Sequence, residues 1–259
     1  MDEVRELSRS IEGLTALVTG ASSGMGRATA HVLADAGARI AVTDVNEEGA
    51  QAVATEIDEA GGEARAWKLD VSDAKSIPSV VTEVAEHYGR LDILVNNAGV
   101  ALIARIDDKV YDDYWDKSVA VMLSAHQRMV RAALPYLRAT KNPRIVNIAS
   151  TEGLGATPGN TAYIAVKHGV VGLTRGLAVE LGKEGITVNC ICPGPIRTGM
   201  TEAIPEEQKE EYARRRTALR RYGYPEEIAH TVLSLVLPAA SFITGVALPV
   251  DGGLTIRRA

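Results

Sequence analysis

Short apolar runs rich in β-branched residues alternate along the chain with longer amphipathic stretches. The short runs predict seven β-strands, at residues 14–19, 39–44, 64–69, 91–96, 144–149, 187–191 and 247–250. Apolar positions with a helical period predict helices at residues 24–37, 47–60, 74–88, 111–139, 161–182 and 225–237. Each strand is interpreted as apolar on both faces, which is typical of a parallel sheet covered by helices on both sides. The pattern therefore predicts a doubly wound α/β fold with a mostly parallel, seven-stranded sheet.

No repeat or low-complexity linker divides the sequence. We therefore predict one domain over residues 11–259, preceded by a loose tail at residues 1–10. The stretch at about residues 198–224 carries many charges and has no strand pattern. It is expected to form a helical insertion over the mouth of the sheet.

Composition and charge narrow the possible functions. Lys and Arg number 28 against 33 Asp and Glu, so the net charge of −5 gives no field to attract a phosphate backbone. Aromatic residues are only 4%, which disfavours binding of single-stranded nucleic acid by stacking. No uncharged apolar run is long enough for a membrane span, and the charged N-terminus does not resemble a signal peptide. We expect a cytoplasmic protein without a nucleic-acid or membrane partner.

The cysteines and histidines do not indicate a metal site. Cys190 and Cys192 are two positions apart on a predicted strand, so they would share one face and are poorly placed for a disulfide. We expect two reduced core thiols. The five histidines form no HxxxH pair, so their local spacing gives no support for zinc.

A glycine-rich segment, TGASSGMG at residues 19–26, links the first predicted strand to the first predicted helix. Glycines there allow a tight turn and let a pyrophosphate approach the backbone at a helix N-terminus. The spacing is GxxxGxG rather than the GxGxxG of the better-known fingerprint. The segment indicates a dinucleotide site, and a turn that is merely tight is the alternative.

Polar residues follow the next three predicted strands. Asp44 ends the second, where a carboxylate would accept a hydrogen bond from the ribose 2′-hydroxyl of NAD and repel the 2′-phosphate of NADP. Capping of the next helix is the alternative role for Asp44. Asp70 and Val71 follow the third strand, where an adenine edge would lie, and the NNAG turn at residues 96–99 follows the fourth. Within that turn, Asn96 is expected to serve structure alone.

Tyr163 and Lys167 are four positions apart in a predicted helix and therefore share one face. A nearby ammonium favours the phenolate, so we expect Lys167 to lower the pKa of Tyr163 and make it a usable general acid/base. Ser150 ends the fifth predicted strand, where its hydroxyl would point into the ligand crevice and hold a substrate oxygen.

In this order, these motifs resemble those of the short-chain dehydrogenase/reductase family in its single-domain form. The resemblance covers about residues 12–255 and includes PG at 193–194, ITG at 243–245 and VDGG at 250–253. It implies a Rossmann-type fold in which Tyr163 is the catalytic acid/base. Lys167 would lower its pKa and hold the nicotinamide ribose, and Ser150 would orient the substrate oxygen.

The resemblance, together with the interpretation of Asp44, predicts an NAD site in which Ile196 and Thr198 meet the nicotinamide amide. The expected cofactor contacts are Gly20, Ser22, Ser23, Gly24, Met25, Gly26, Asp44, Val45, Asp70, Val71, Asn97, Ala98, Gly99, Tyr163, Lys167, Pro193, Gly194, Ile196 and Thr198.

One position departs from the family pattern. The family usually has an Asn in a W-D-x-x-x-x-V-N-L run, and the matching run at residues 115–123 has Met122 instead. In the family that position supports a water linking the lysine to solvent, whereas a thioether is a weak acceptor and cannot donate. We expect an active enzyme whose proton relay is less well ordered.

The sequence predicts an NAD(H)-dependent oxidoreductase that interconverts a small secondary alcohol and a ketone. Ser150, Tyr163, Glu152 and Met200 are the expected substrate contacts. One alternative is a 3-oxoacyl-thioester reductase, in which arginines within residues 214–221 meet an acyl carrier. The other interpretation of these arginines is a solvent-exposed helix face on which they pair with the preceding glutamates. A second alternative is a dinucleotide-binding sensor or scaffold with impaired turnover. The apolar stretch 242–248 would leave an exposed patch on a monomer, and the resemblance implies that it packs across an axis of a homotetramer.

Overall fold

A computed structural model of the protein describes residues 6–257. The first half of the predicted tail, residues 1–5, lies outside the described residues. Residues 6–10 are exposed and have no regular secondary structure, although the carbonyl of Ser8 accepts a hydrogen bond from the N–H of Ala239 at 2.8 Å.

All the strands in the described chain join one parallel sheet in the order β3-β2-β1-β4-β5-β6-β7. Their bounds are β1 (Thr15–Thr19), β2 (Arg39–Asp44), β3 (Glu63–Lys68), β4 (Ile93–Asn96), β5 (Arg144–Ile148), β6 (Thr187–Pro193) and β7 (Ala247–Val250). The predicted doubly wound α/β class is confirmed. Because β1 pairs with both β2 and β4, the strand order reverses there, and a crevice opens at the carboxyl ends of β1 and β4.

Helices cover both faces of the sheet. Their bounds are α1 (Gly24–Asp35), α2 (Glu47–Glu59), α3 (Ser76–Tyr88), α4 (Tyr111–Val119), α5 (Ala125–Leu137), α6 (Thr161–Leu181), α7 (Gly199–Glu202), α8 (Glu206–Arg216) and α9 (Pro225–Val236). Within residues 6–257, no helix is both long and apolar enough to cross a bilayer.

Alternating strand residues fill two separate cores. Leu17 and Leu94 pack with α3, α5 and α6 on one face, whereas Val18 and Val95 pack with α1, α2 and α9 on the other. Because both faces are buried, the central strands need apolar residues at every position. The sheet is thereby held rigidly beneath its carboxyl edge.

The edge strand β3 corrects one sequence expectation. Glu63, Arg65 and Lys68 are exposed, so this strand is not apolar on both faces. Its position explains the difference: β3 ends the sheet and packs with α2 on one face, while the Arg65 guanidinium lies 5.2 Å from the Trp67 ring on the other. Charged residues on an edge strand also discourage pairing with another chain.

The predicted single helix at residues 111–139 is interrupted. Residues Ala120–Ser124 form one π-helical turn between α4 and α5, so the helix is not a continuous α-helix. Turns of this kind are rare and occur frequently at functional sites. The turn contains Met122, the residue that departs from the family pattern.

The charged stretch at 198–224 contains α7 and α8. Backbone hydrogen bonds close its base, since the N–H of Arg197 donates to Gly223 and the N–H of Gly223 donates to Pro195, both at 2.9 Å. Its start therefore lies beside the end of β6, at the carboxyl edge of the sheet.

Candidate active site

A cavity of about 660 Å³ opens at the carboxyl edge of the sheet, where the strand order reverses. Its lining consists of Gly20, Ser22, Ser23, Gly24, Met25, Asp44, Val45, Leu69, Asp70, Val71, Ser72, Asn97, Ala98, Gly99, Val100, Ala101, Lys117, Val121, Met122, Ile148, Ala149, Tyr163, Lys167, Thr198, Gly199 and Met200. Residues from five strand ends, four helices and the π-helical turn thus meet in one crevice.

The glycine-rich segment forms a turn that only glycines fit. Gly20 and Gly24 have φ values of +64° and +53°, a region that L side chains rarely adopt. A Cβ on Gly20 would also lie 2.7 Å from the Cα of Ala98, and a Cβ on Gly26 would overlap the carbonyl oxygen of Gly20. The turn brings backbone N–H groups and the N-terminus of α1 to the cavity, a suitable cradle for a pyrophosphate.

Asn97 ties the end of β4 to this turn. Its side-chain Nδ2 donates to the carbonyls of Thr19 at 2.9 Å and Gly20 at 3.0 Å. The hydroxyl of Thr19 in turn accepts from the N–H groups of Asn97 and Ala98. These bonds fix the two chain segments that border the crevice at the point where the strand order reverses.

Asn96 has a structural role at the same place, as expected from the sequence. Its Nδ2 donates to Oδ1 of Asn147 at 2.9 Å, and Asn147 donates to the hydroxyl of Thr174 on α6 at 3.0 Å. This buried network joins β4, β5 and α6 beneath the cavity.

Asp44 presents its carboxylate to the cavity at the end of β2. Oδ2 accepts from the N–H of Ser22 at 3.0 Å, and Oδ1 accepts from the N–H of Asn46 at 2.9 Å. The cap of α2 is supplied by Asn46, whose side chain accepts from Gly49, so helix capping does not account for Asp44. Each carboxylate oxygen keeps a lone pair for a ligand hydroxyl.

Asp70 and Val71 line the next part of the crevice. The Asp70 carboxylate is turned toward its own loop, where Oδ1 accepts from the N–H of Ser72 at 2.8 Å and from its hydroxyl at 2.7 Å. Val71 is buried and gives the lining an apolar patch suited to a base edge.

Tyr163 and Lys167 line the cavity, and Ser150 lies beside Tyr163 just outside that lining. Ser150 follows β5, is buried, and its Oγ accepts from the N–H of Glu152 at 3.1 Å. Lys167 is also buried; its Nζ donates to the carbonyl of Ile148 at 2.9 Å and lies 5.4 Å from the centre of the Tyr163 ring.

The electrostatics of this group differ from the sequence expectation. Burial raises the pKa of Tyr163, and the neighbouring hydroxyl of Ser150 opposes that rise. Burial also lowers the pKa of Lys167 to about 8, with the Cys192 and Cys190 thiols acting in the opposite direction. In the chain alone, desolvation of the phenol is the larger effect, so the pKa of Tyr163 lies above its ordinary value.

Several predicted site residues do not line the cavity: Gly26, Ser150, Glu152, Pro193, Gly194 and Ile196. Gly26 and Gly194 act through close backbone packing, since a Cβ on Gly194 would lie 2.7 Å from the Cα of Asp251. The Glu152 carboxylate is bonded to the N–H of Thr157 at 3.0 Å and to its hydroxyl at 2.6 Å. These hydrogen bonds stabilise the loop that follows Ser150. Met200, by contrast, lines the cavity and is 51% exposed.

Sequence reasoning missed other polar groups beside this site. Lys117 lines the cavity from α4, and its place within the W-D-x-x-x-x-V-N-L run was the available signal. His126, on α5, is buried, and burial together with the Lys167 charge lowers its pKa to about 3. The sequence shows that His126 follows Met122 by one helical turn, but it does not show that His126 is buried near Lys167.

Cys190 and Cys192 are free and buried on β6. Within residues 6–257, no three His, Cys, Asp or Glu side chains are grouped as metal ligands would be.

Comparisons with known proteins agree with this geometry. The family model described as enoyl-(acyl carrier protein) reductase matches residues 20–255. A 3-oxoacyl-[acyl-carrier-protein] reductase of Thermotoga maritima is 38% identical over 249 residues, which is 95% of this chain and 99% of that protein. A D-threitol dehydrogenase of Mycolicibacterium smegmatis is 38% identical over 261 residues, covering 99% of this chain and all of that protein. The crystal structure of a dehydrogenase/reductase from Sinorhizobium meliloti superposes with a TM-score of 0.89 at 42% identity, covering 95% and 97% of the two chains.

The chain belongs to the short-chain dehydrogenase/reductase family. It is an oxidoreductase that acts on hydroxyl and keto groups of a small molecule with a nicotinamide dinucleotide as cofactor, so the predicted family and reaction are confirmed. The positive-φ glycine turn, the helix N-terminus and the size of the crevice fit such a cofactor.

Proposed function

We propose that the protein is an NAD(H)-dependent alcohol dehydrogenase or ketoreductase that interconverts a secondary alcohol and a ketone. The observation that carries this proposal is that Ser150 and Lys167 lie beside Tyr163 at a crevice that Asp44 also lines.

The preference for NAD(H) rests on charge. A 2′-phosphate beside Asp44 would meet a carboxylate, and residues 21–23 of the adjoining turn contain no Lys or Arg to offset it. The nearest cation along the sheet edge, Lys68, pairs with Glu47 at 3.5 Å. A ribose 2′-hydroxyl, by contrast, can donate to Asp44.

Fifteen of the cofactor contacts expected from the sequence line the crevice and are proposed as direct contacts: Gly20, Ser22, Ser23, Gly24, Met25, Asp44, Val45, Asp70, Val71, Asn97, Ala98, Gly99, Tyr163, Lys167 and Thr198. The others, Gly26, Pro193, Gly194 and Ile196, are proposed to shape the site from behind this surface.

When bound, the dinucleotide supplies or accepts the hydride. The chain's own residues handle the proton and the position of the reacting oxygen. In the direction of oxidation, Tyr163 as phenolate takes the hydroxyl proton of the substrate, and in reduction it returns a proton to the carbonyl oxygen. The hydroxyl of Ser150 holds that oxygen beside Tyr163, and the ammonium of Lys167 stabilises the phenolate.

The substrate side is proposed to involve Met200, which lines the crevice, and Glu152, which acts through its charge from outside that lining. Met200 projects from α7 at the mouth of the crevice with half of its surface exposed. Glu152 contributes negative charge, because its field raises the pKa of Tyr163. Charge of this sign disfavours an anionic substrate group near Ser150 and favours neutral hydroxyl-bearing substrates.

A second candidate is reduction of a 3-oxoacyl thioester, which the name of the Thermotoga maritima relative indicates for that protein. Two of the arginines expected to meet a carrier form ion pairs within the chain: Arg215 pairs with Glu211 at 2.8 Å, and Arg221 pairs with Glu227 at 2.6 Å. These ion pairs favour the first candidate function, in which the substrate is a neutral alcohol or ketone. A catalytically impaired sensor is disfavoured by the presence of Ser150, Tyr163 and Lys167 together.

We further propose that the protein acts as a homotetramer in the cytoplasm. Phe242 is fully exposed and Val179 is 86% exposed, and Gly245 lies beside α6, where its Cβ would be 3.5 Å from Ala178. Large apolar side chains exposed in this way are commonly covered by subunit contacts.

A substrate panel tests the proposal. Neutral diols and secondary alcohols, their ketones, and 3-oxoacyl thioesters are compared by the absorbance of the reduced cofactor, with NAD(H) and NADP(H) in parallel. The proposal expects the highest kcat/KM for a neutral alcohol or ketone with NAD(H). A higher kcat/KM for a thioester would establish the second candidate, and no turnover of any member with intact cofactor binding would favour the sensor.

A further inference from the structure

His126 is a buried polar residue that the proposed reaction does not use. It lies in the first turn of α5, directly after the π-helical turn, and is 2% exposed. Its Nε2 is buried and has no hydrogen-bond partner among residues 6–257. Buried polar atoms are nearly always satisfied, and when no protein group does so an ordered water commonly does.

Two other buried polar atoms on this side of the sheet also lack a hydrogen-bond partner in the described chain. Ser118, about one turn before Met122, also has a buried hydroxyl without a partner in the described chain. Oδ1 of Asn96 also has no partner. Asn96 is two residues beyond Leu94, so the two side chains project from the same face of β4. Leu94 packs in the same core as Met122. Three unsatisfied polar atoms from two helical segments and a strand therefore lie on the side of the sheet that carries α5 and α6.

Lys167 lies on α6, on the same side of the sheet. The π-helical turn packs against α6, where Leu123 fills the space that a Cβ on Gly169 would take, 2.9 Å from Cδ2. Lys167 and Met122 line the same cavity, and His126 is near enough for the lysine charge to lower its pKa. Of its three N–H donors, Lys167 uses one within the described chain, toward Ile148.

We propose that His126 is a positioning residue for Lys167, and that its Nε2 accepts a hydrogen bond from a water molecule that Lys167 binds through Nζ. The inference rests on the proposed function and deepens it, because it assigns support of the catalytic lysine to a residue of α5. A neutral imidazole suits this task, since its unprotonated nitrogen accepts without adding charge, and burial keeps the pKa of His126 near 3.

The ionisable groups that face Lys167 set the sign of the effect. They are Tyr163 on α6, Cys190 and Cys192 on β6, and His126 on α5. Burial is the main influence and lowers the pKa of Lys167, so an acceptor that stabilises the ammonium opposes it. Loss of the acceptor should lower the pKa further and leave less charged lysine at alkaline pH.

The test compares His126→Phe, which removes both nitrogens, with His126→Gln, whose amide keeps a polar group near the Nε2 position. Met129→Leu is the matched control, since Met129 is 1% exposed on the same helix and the change keeps its volume. The first readout is the 13Cε chemical shift of Lys167, titrated in the chain without cofactor. The second is the pH profile of kcat at saturating substrate and cofactor.

In His126→Phe we expect the lysine titration and the alkaline limb of kcat to move down by about one pH unit. This corresponds to a loss of about tenfold at pH 9 and about twofold at pH 7, with KM nearly unchanged. His126→Gln should recover most of the shift, and Met129→Leu should titrate as the wild type does. If His126→Phe does not fold, His126→Met replaces it as the apolar variant.

An unchanged Lys167 titration in the folded apolar variant would overturn the proposal, as would equal shifts in His126→Gln and His126→Phe. Failure of the proposed function is a separate result. If Tyr163→Phe kept turnover, the reaction assignment would be wrong, while the titration of Lys167 in the unliganded chain would still decide the role of His126.

Discussion

The carboxylate of Asp44 accepts a hydrogen bond from the backbone N–H of Ser22 at 3.0 Å, which joins the end of β2 to the glycine-rich turn. One side chain therefore sets both the local backbone and the charge at the outer end of the crevice. Its charge can be removed with little change in shape, so its role in cofactor choice is open to a direct test.

Asp44→Asn should reduce the preference for NAD(H). The wild type is expected to favour NAD(H) over NADP(H) in kcat/KM. The variant should lose about tenfold of that ratio, which corresponds to about 1.4 kcal/mol, because the repulsion between the carboxylate and the 2′-phosphate is removed. Asp35→Asn, at the exposed end of α1, makes the same charge change away from the crevice and should leave the ratio unaltered. A wild-type preference for NADP(H) would contradict the role of Asp44.

Tyr163→Phe should reduce kcat by about 10²–10⁴-fold and leave the dissociation constant of the cofactor nearly unchanged, since the phenol acts on the proton. Tyr136→Phe serves as the control: it removes a hydroxyl that donates to Thr82 at 3.0 Å on the far side of α5. Single-turnover rates and cofactor titration by fluorescence measure the two quantities. More than a tenth of wild-type turnover in Tyr163→Phe would refute the assignment.

Lys167→Met should abolish most activity and raise stability at pH 7. Burial lowers the pKa of this lysine to about 8, below its ordinary value near 10.4, so at neutral pH the folded chain bears the cost of a buried charge. Between pH 8 and 10 the unfolded state binds more protons than the folded state, and the lysine therefore makes the free energy of unfolding rise with pH.

Denaturant unfolding of both proteins from pH 7 to 10 checks this sign. The variant should gain on the order of 1–3 kcal/mol at pH 7 and lose that part of the pH dependence. A variant that is less stable than the wild type at pH 7, with the same slope, would show that the ammonium stabilises the fold.

Gly26→Ala should disrupt the cofactor site. The added Cβ would overlap the Gly20 carbonyl oxygen and lie 2.5 Å from Nδ2 of Asn97, so the turn must shift. Gly172→Ala on α6 is the matched control, because nothing lies within 4 Å of its Cβ position. We expect cofactor affinity to fall at least tenfold in Gly26→Ala by calorimetry, and to stay unchanged in Gly172→Ala, where alanine also favours the helix by up to about 1 kcal/mol. Equal affinities in both variants would show that the turn tolerates a side chain.

Phe242→Asp should weaken the proposed tetramer. Phe242 is fully exposed on the single chain, and a charge in a buried apolar contact is costly. Light scattering after size exclusion should give a lower mass for the variant than for the wild type. The exposed Ile256→Asp, elsewhere on the C-terminal segment, provides a comparison, and a wild-type monomer would refute the proposal outright.

The sheet could be predicted from sequence because its central strands are buried on both faces and read as unbroken apolar runs. β3 shows the limit of that signal: an edge strand with Glu63 and Arg65 in solvent does not obey the same pattern. The break between α4 and α5 was hidden for another reason. A π-helical turn shifts the apolar face by one residue, but residues 119–123 are all apolar, so the shift leaves no mark and the pattern over 111–139 looks continuous.

The site was predictable where a motif fixes both residue type and backbone, as in the glycine-rich turn and the Tyr163–Lys167 pair. The direction in which the pKa of Tyr163 shifts was not predictable. A separation of four positions places Tyr163 and Lys167 close together but does not tell how far the phenol is desolvated. His126 could not be found from local sequence, since its burial and its nearness to Lys167 depend on how α5 and α6 pack.

The two thiols of β6 allow the local opening of this strand to be measured. Cys190 and Cys192 are fully buried in the strand between Lys167 and the C-terminal segment, so an alkylating reagent reaches them only when β6 separates from its neighbours. The rate of modification under native conditions therefore reports the free energy of that local opening. A bound cofactor that clamps the crevice would slow the labelling, and the delay would measure the coupling between ligand and fold without any turnover.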